Sequence, residues 1–429
     1  MAIRDRAIDA RRLRSIIGGS AGNLVEWYDW YAYSSLSLVF AATFFPKGDR
    51  TAQLLSTAAI FAVGFLMRPI GAWVMGRFAD AKGRKAGLTL SVGLMCVGSL
   101  MIALVPGYAT IGVAAPAILL VARMLQGFSV GGEYGSSATY LSEMATRERR
   151  GFWSSFQFVT LIGGQLLALA VTLILQTVLD KTQMVAFGWR IAFGLGAVLA
   201  LFVYIMRRRL AETASFENQA ADRPRSSLAV LWRAHPREVV LVAIISAGGS
   251  LSFYAYTTYL QKFLVNTTGF SVQAATQVMT AALVVYMCVQ PVFGMAADRV
   301  GRKPMLLLFG FGGMIVSQPV FKALEIASDP VIAFAIILIP LMLLSAYTSI
   351  SPVFKAELFP AHVRALGVAF PYAIGNAAFG GTAEYVALWF KQAGIESAFY
   401  WYVTAIIGAA TIAFLMLPET RRTSLISED

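Results

Sequence analysis

Apolar residues run through this chain in blocks of about twenty or more, separated by polar connectors, with no strand-like alternation. Coiled as α-helix at about 1.5 Å per residue, such a block matches the hydrocarbon thickness of a bilayer. Six blocks lie at about 16–44, 55–79, 87–106, 114–142, 151–178 and 189–207. Six more lie at about 238–265, 273–297, 304–324, 331–356, 365–391 and 396–417. The pattern predicts an all-α integral membrane protein with twelve transmembrane helices. The one long hydrophilic connector, residues 208–237, separates the sixth block from the seventh and has too few apolar residues for a core. The expected organisation is a six-helix half (1–207), a linker (208–237) and a second six-helix half with a short tail (238–429). Arg4, Arg6, Arg11, Arg12 and Arg14 precede the first block as in a signal peptide. That block is too long for one and carries Glu26 and Asp29, so it is expected to stay as a membrane helix.

One connector occurs twice. Gly76-Arg-Phe-Ala-Asp80-Ala-Lys-Gly83-Arg84-Lys85 returns about 218 residues later as Gly294-Met-Ala-Ala-Asp298-Arg-Val-Gly301-Arg302-Lys303. A polar, glycine-bent turn at matching places in both halves predicts one helical bundle duplicated in sequence. The glycines permit the bend, and each Asp is placed to cap a neighbouring helix or pair with a basic residue. Glu143 with Arg150 and Glu357 with Arg364 repeat likewise, the Arg following seven residues after the Glu. The expectation is a gating charge cluster in each half. Gly76, Asp80, Gly83, Arg84, Glu143 and Arg150 would form the first, and Asp298, Gly301, Arg302, Glu357 and Arg364 the second. Exposed pairs are individually weak, so such clusters bias a conformation more than they stabilise a fold.

Composition agrees with the blocks: 58% of residues are hydrophobic and 14% charged, too little polar surface for a soluble domain. The net charge of +12 does not point to nucleic acid, because the basic residues sit in short clusters between apolar runs. The N-terminus, the even-to-odd connectors, the linker and the tail hold roughly 26 of the 35 Lys and Arg, which predicts both termini in the cytoplasm. Cys96 and Cys288 lie in apolar blocks of different halves, and His235 and His362 in connectors. Neither a metal site nor a buried histidine relay is expected, and with no nucleotide loop or reactive-cysteine setting an enzyme is disfavoured.

Ionisable groups at bilayer depth are costly and rare, so each is a functional candidate. In the first block Glu26, Asp29 and Tyr33 fall on one face by their i,i+3 and i,i+4 spacing. Either carboxylate could carry a proton, or one could be permanently paired. The fourth block carries Arg123 and Glu133, a further proton-coupling candidate, among glycines that admit a close neighbour, and an Asp29–Arg123 pair is plausible by depth. Arg68, in the second block, either faces a wet cavity as an anion site or pairs with Glu133 or Asp29. Two intramembrane arginines suit a carboxylate, because guanidinium forks grip it in bidentate fashion. Tyr33 of the first block, Tyr254, Tyr256 and Tyr259 of the seventh, Gln165 of the fifth and Asn376 of the eleventh are candidates to complete the binding site. Any one of them could equally be a satisfied interhelical hydrogen bond.

The paired Gly-x-x-x-Asp-x-x-Gly-Arg-Lys turns resemble the signature of the major facilitator superfamily. Gly22-Asn-Leu-Val-Glu26-Trp-Tyr-Asp29, Phe65-Leu-Met-Arg68-Pro-Ile-Gly71 and Gln126-Gly-Phe-Ser-Val-Gly-Gly-Glu133-Tyr-Gly135 are similar to its metabolite–proton symporter family. Phe158-Val-Thr-Leu-Ile-Gly-Gly-Gln165 and Gly380-Gly-Thr-Ala-Glu384-Tyr-Val resemble the α-ketoglutarate branch, with relatives for citrate or shikimate sharing part of these stretches. The short tail after Pro418 lacks the long heptad extension of the osmosensing betaine and proline carriers. The resemblance implies a twelve-helix inner-membrane carrier that works by alternating access, with a central site between the halves, and a monomer is expected. Its partners would be a small carboxylate, protons and the lipid bilayer, with protons as coupling ion and no cofactor. Proton-linked sugar porters of the superfamily use a first-helix Asp and a fourth-helix Arg, which implies a coupling role for Asp29 and Arg123. A receptor that had lost transport would be expected to show broken turns or missing membrane charges, and both turns here are complete.

Overall fold

The computed structural model describes residues 2–46, 48–82, 84–131, 134, 138–139, 141–142, 145–208, 227–360 and 363–426. The side chains of 2–22, 76, 77, 79–82, 84–88 and 206–208 are not among those described. Helices dominate. The first six long ones are α1 (Ala2–Phe44), α2 (Arg50–Lys82), α3 (Arg84–Leu104), α4 (Ala114–Val130), α5 (Arg150–Val178) and α6 (Trp189–Arg208). The last six are α7 (Pro236–Asn266), α8 (Val272–Val300), α9 (Arg302–Glu325), α10 (Pro330–Glu357), α11 (residues 364–392) and α12 (Ser397–Met416). Eight described helices are long and apolar enough to cross a membrane, and Thr89–Leu104 and Ala114–Val130 are shorter apolar helices. The first helix starts at Ala2, ahead of the apolar block, because its arginines, alanines and leucines are good helix formers and no proline interrupts them.

Helix pairing repeats along the chain. α1 packs on α5, α2 on α4 and α3 on α6; six helices later α7 packs on α11, α8 on α10 and α9 on α12. Between the first six helices and the last six, α5 lies against α8 and α2 against α11. Without a hydrophobic driving force in lipid, such contacts rely on small residues that let backbones touch. A Cβ on Gly127 of α4 would overlap the carbonyl oxygen of Gly64 on α2, and one on Gly131 would overlap that of Arg68. Gly151 of α5 and Gly294 of α8 meet the same way, each Cβ position about 2.5 Å from the other's carbonyl oxygen (2.6 and 2.5 Å).

Two helices are interrupted where they face the middle of the molecule. α7 contains a π turn at Ala255–Tyr259 and α11 one at Asn376–Gly380. A π turn widens the helix by one residue and releases a carbonyl from the regular ladder, a device found often at functional sites. In α7 the carbonyl of Thr257 accepts a hydrogen bond from Gln165 Nε2 of α5 at 2.7 Å.

Candidate functional site

Three ionisable groups of the first six helices are buried together. Asp29, Arg68 and Arg123 are 1%, 3% and 0% exposed. Both guanidinium groups stack on aromatic rings. The Arg68 Cζ is 4.2 Å from the Trp30 ring centre and 3.9 Å from that of Phe65, and Arg123 is 3.9 Å from Trp30 and 4.5 Å from Tyr33. Cation–π contact offsets part of the desolvation but satisfies no N–H. The Nε and Nη2 of both arginines have no hydrogen-bond partner among the described residues.

Asp29 and Arg123 do not form a direct ion pair; Gln126 stands between them. Its Oε1 accepts from Arg123 Nη1 at 2.6 Å, and its Nε2 donates to Asp29 Oδ2 and, at 3.2 Å, to Ser99 Oγ. The helix places Arg123 and Gln126 on one face at i,i+3, with the amide aimed at α1. The second Asp29 oxygen faces Gly196 of α6, where a Cβ would come within 2.5 Å of it. Glu26 is buried one turn earlier. Glu133 lies outside the described residues.

A narrow cavity in the middle of the molecule is lined from the last six helices by Tyr254, Tyr347, Ser351, Tyr372 and Asn376, and from α5 by Phe158. Arg68 is an electrostatic neighbour of Tyr31, Tyr254 and Tyr372, so the cation of α2 looks onto this tyrosine cluster. The Asn376 side chain is fully buried beside Tyr254, and both line the cavity.

Other expected lining residues are held elsewhere. Tyr33 donates to the Thr57 carbonyl, Tyr256 bonds Ser317 of α9, Tyr259 bonds Glu396, and Gln165 spends its amide N–H on Thr257. The π turn explains the tyrosines of α7. Tyr254 precedes the π turn and lines the cavity, whereas Tyr256 and Tyr259 lie within the turn, where the wider winding changes their angular offset from Tyr254.

Contacts between the first six helices and the last six lie toward both ends of the molecule. At one end Lys262 of α7 pairs with Glu384 of α11 at 2.6 Å and donates to Ser34 of α1 at 2.9 Å, and Ser34 donates to Glu384 at 3.1 Å. At the end bearing the glycine-bent turns, Tyr134 stacks on Tyr372 of α11 with ring centres 3.7 Å apart. Sequence reasoning missed the Lys262 link, although a lysine and a glutamate inside facing apolar blocks were visible.

Beyond Tyr134, Asp298 receives the backbone N–H groups of Gly151 and Phe152 at 2.8 and 2.9 Å, a carboxylate on the N-terminus of α5. Arg302 pairs with Asp298 at 2.8 Å and faces Glu357 at 3.7 Å. Gly301 takes φ +112°, which an L side chain rarely adopts, and frees the first N–H groups of α9 to bond Glu419. Arg150 and Arg364 reach the C-terminal tail at Ser424 and Leu425. Of the first cluster, Gly83 and Glu143 lie outside the described residues, as do the side-chain surroundings of Gly76, Asp80 and Arg84. Asp298→Asn is expected to cost about 2 kcal/mol, since it weakens two N–H bonds and an ion pair at once. Thermal unfolding of the purified protein in detergent checks this, and an unchanged transition would contradict it.

The family described as sugar (and other) transporter matches residues 16–217 and 209–429, nearly the whole chain. The chain belongs to this family. Among relatives of this transporter, the alpha-ketoglutarate permease of Escherichia coli is 53% identical over 407 residues, covering 95% of this chain and 94% of the relative. A citrate-proton symporter of Salmonella typhi is 32% identical over 415 residues, covering 95% and 94%. The xylose symporter XylE, of the major facilitator superfamily, superposes with a TM-score of 0.75 over 96% of this chain and 97% of its own. At 18% identity that likeness speaks for the fold alone.

Proposed function

We propose that this transporter is an inner-membrane symporter that carries α-ketoglutarate, or a closely related dicarboxylate, into the cell together with protons. The observation that carries this reading is the 53% identity, over nearly full length, to an alpha-ketoglutarate permease. The 32% identity to citrate-proton symporters supports proton coupling and makes citrate the second candidate substrate. Twelve spans in two six-helix halves, with both termini in the cytoplasm, form the working unit; the repeated pairing of helices supports that division.

Alternating access follows from the two closures. The Lys262–Glu384–Ser34 link and the Tyr134–Tyr372 stack cannot both stay shut during a cycle, so each opens in turn as the halves rock. Arg68 and Arg123, each with unspent N–H groups, supply the positive charge for a carboxylate, while Tyr254 and Asn376 offer neutral hydrogen bonds. Asp29 carries the proton. When Asp29 is protonated its hold on Gln126 changes, and Gln126 in turn holds Arg123, so proton and anion sites share one amide.

A dianion entering a negative-inside cell is opposed by about 2.3 kcal/mol per charge per 100 mV. Cotransport with more protons than substrate charges removes that opposition. The test is uptake of labelled α-ketoglutarate by proteoliposomes under an imposed inward proton gradient. Accumulation that collapses with a protonophore is expected. Gradient-independent uptake would remove the coupling, and no uptake at all would remove the substrate.

A further inference from the structure

The last six helices contain a cation that none of the assignments above uses. Lys355 of α10 is fully buried, and no carboxylate pairs with it among the described residues. Glu357, two residues on, faces Arg302 instead. The Lys355 ammonium donates to Ser351 Oγ at 2.9 Å and is otherwise surrounded by rings. Its Nζ lies 4.5 Å from the centre of Tyr372, 5.7 Å from Phe354, 5.8 Å from Tyr347 and 5.9 Å from Tyr134. Desolvating an ammonium without a counter-charge is unfavourable, and four rings, three of them near the limit of cation–π range, compensate it only in part. Such a group persists where an anion visits it.

Its position says which anion. Ser351, Tyr347 and Tyr372, the partners of Lys355, are also walls of the central cavity. Arg68, on α2, faces the same tyrosine cluster through Tyr254 and Tyr372. One cation from the first six helices and one from the last six therefore look onto one cavity through shared tyrosines. Tyr134 of the closing stack also borders Lys355, so the group lies directly beneath that closure.

We propose that Lys355 binds the second carboxylate of the substrate while Arg68 and Arg123 hold the first, so that a dianion spans the two halves. This rests on the dicarboxylate reading above. It makes the number of substrate carboxylates the quantity that decides closure. A monoacid engages one half only, and a dianion draws both together over the cavity.

The test is a double-substitution cycle between protein and ligand. Binding of α-ketoglutarate and of the monoacid 2-oxobutyrate is followed by tryptophan fluorescence, using Trp27 and Trp30 beside Arg68. In the unaltered protein 2-oxobutyrate is expected to bind at least about thirtyfold more weakly than α-ketoglutarate. Lys355→Met is expected to weaken α-ketoglutarate by a similar factor and leave 2-oxobutyrate unchanged within about threefold. Because methionine fills the ring cage without a buried charge, the thermal transition of Lys355→Met should stay level or rise, which separates lost binding from lost folding. Equal weakening of both ligands, or an unaffected α-ketoglutarate affinity, would overturn the assignment of Lys355. If the unaltered protein failed to bind α-ketoglutarate, the dicarboxylate reading would fall first and this inference with it. Lys355→Gln provides a second, polar variant should the methionine protein not be recovered, with the same expected pattern.

Discussion

Asp29→Asn is expected to abolish proton-driven accumulation of α-ketoglutarate while leaving exchange of internal for external substrate intact. Asparagine is isosteric, and its carbonyl can still accept from Gln126, so the link from α1 to Arg123 survives. What it cannot do is take up and release a proton. Net uptake requires the empty carrier to return after losing its proton, whereas exchange needs only the loaded carrier to move both ways. The measurement is paired. Proteoliposomes with an inward proton gradient should show no accumulation above equilibrium, and counterflow under symmetric pH should run within about threefold of the unaltered rate. Accumulation that persists would move the proton to Glu26 or Glu133. Loss of both activities would make Asp29 a structural group of the Gln126 network.

Gly127→Val should have the other large effect, acting on the fold. Gly127 is where α4 touches the backbone of α2, and any Cβ there would overlap the Gly64 carbonyl. A β-branched residue must push the helices apart, and with them Arg123, one turn before Gly127, and Arg68, one turn after Gly64. Overpacking of side chains costs about 1–3 kcal/mol, and overlap with backbone, which cannot swing away, should cost more. The expected result is a thermal transition in detergent lowered beyond measurement, or no monodisperse protein at all. Gly194→Ala is the control. Nothing lies within 4 Å of its Cβ position, and inside α6 alanine should be neutral or gain up to about 1 kcal/mol. A normal transition in Gly127→Val would contradict the close α2–α4 packing.

Much of this was legible in the chain itself. Blocks of about twenty apolar residues cannot be anything but buried or membrane-embedded, and a twice-used turn points to a repeated bundle. Asp29, Arg68 and Arg123 stood out because charge at such depth is rare and costly, and the structure brings the three within one aromatic-lined core. Lys355 did not stand out. It lies at the edge of its block, two residues before Glu357, where a lysine reads as part of a polar connector. Its burial depends on rings from Tyr134 and from α11, more than two hundred and about twenty residues away in sequence.

The tyrosines of α7 mark the boundary between the two kinds of information. Periodicity placed them in one helix, yet only Tyr254, just before the π turn, lines the cavity, while Tyr256 and Tyr259 within the turn bond Ser317 and Glu396. Hydrophobic pattern and charge placement are properties of the chain, because water and lipid act on every residue by its own chemistry. They determined that this protein is helical, lies in a membrane and keeps a few charges inside it. Which buried group faces which other, whether Asp29 meets Arg123 directly or through Gln126, and whether a lysine has a counter-charge were decided only by packing. Those relations depend on helix rotation and approach to within a few ångströms, and neighbours distant in sequence set both.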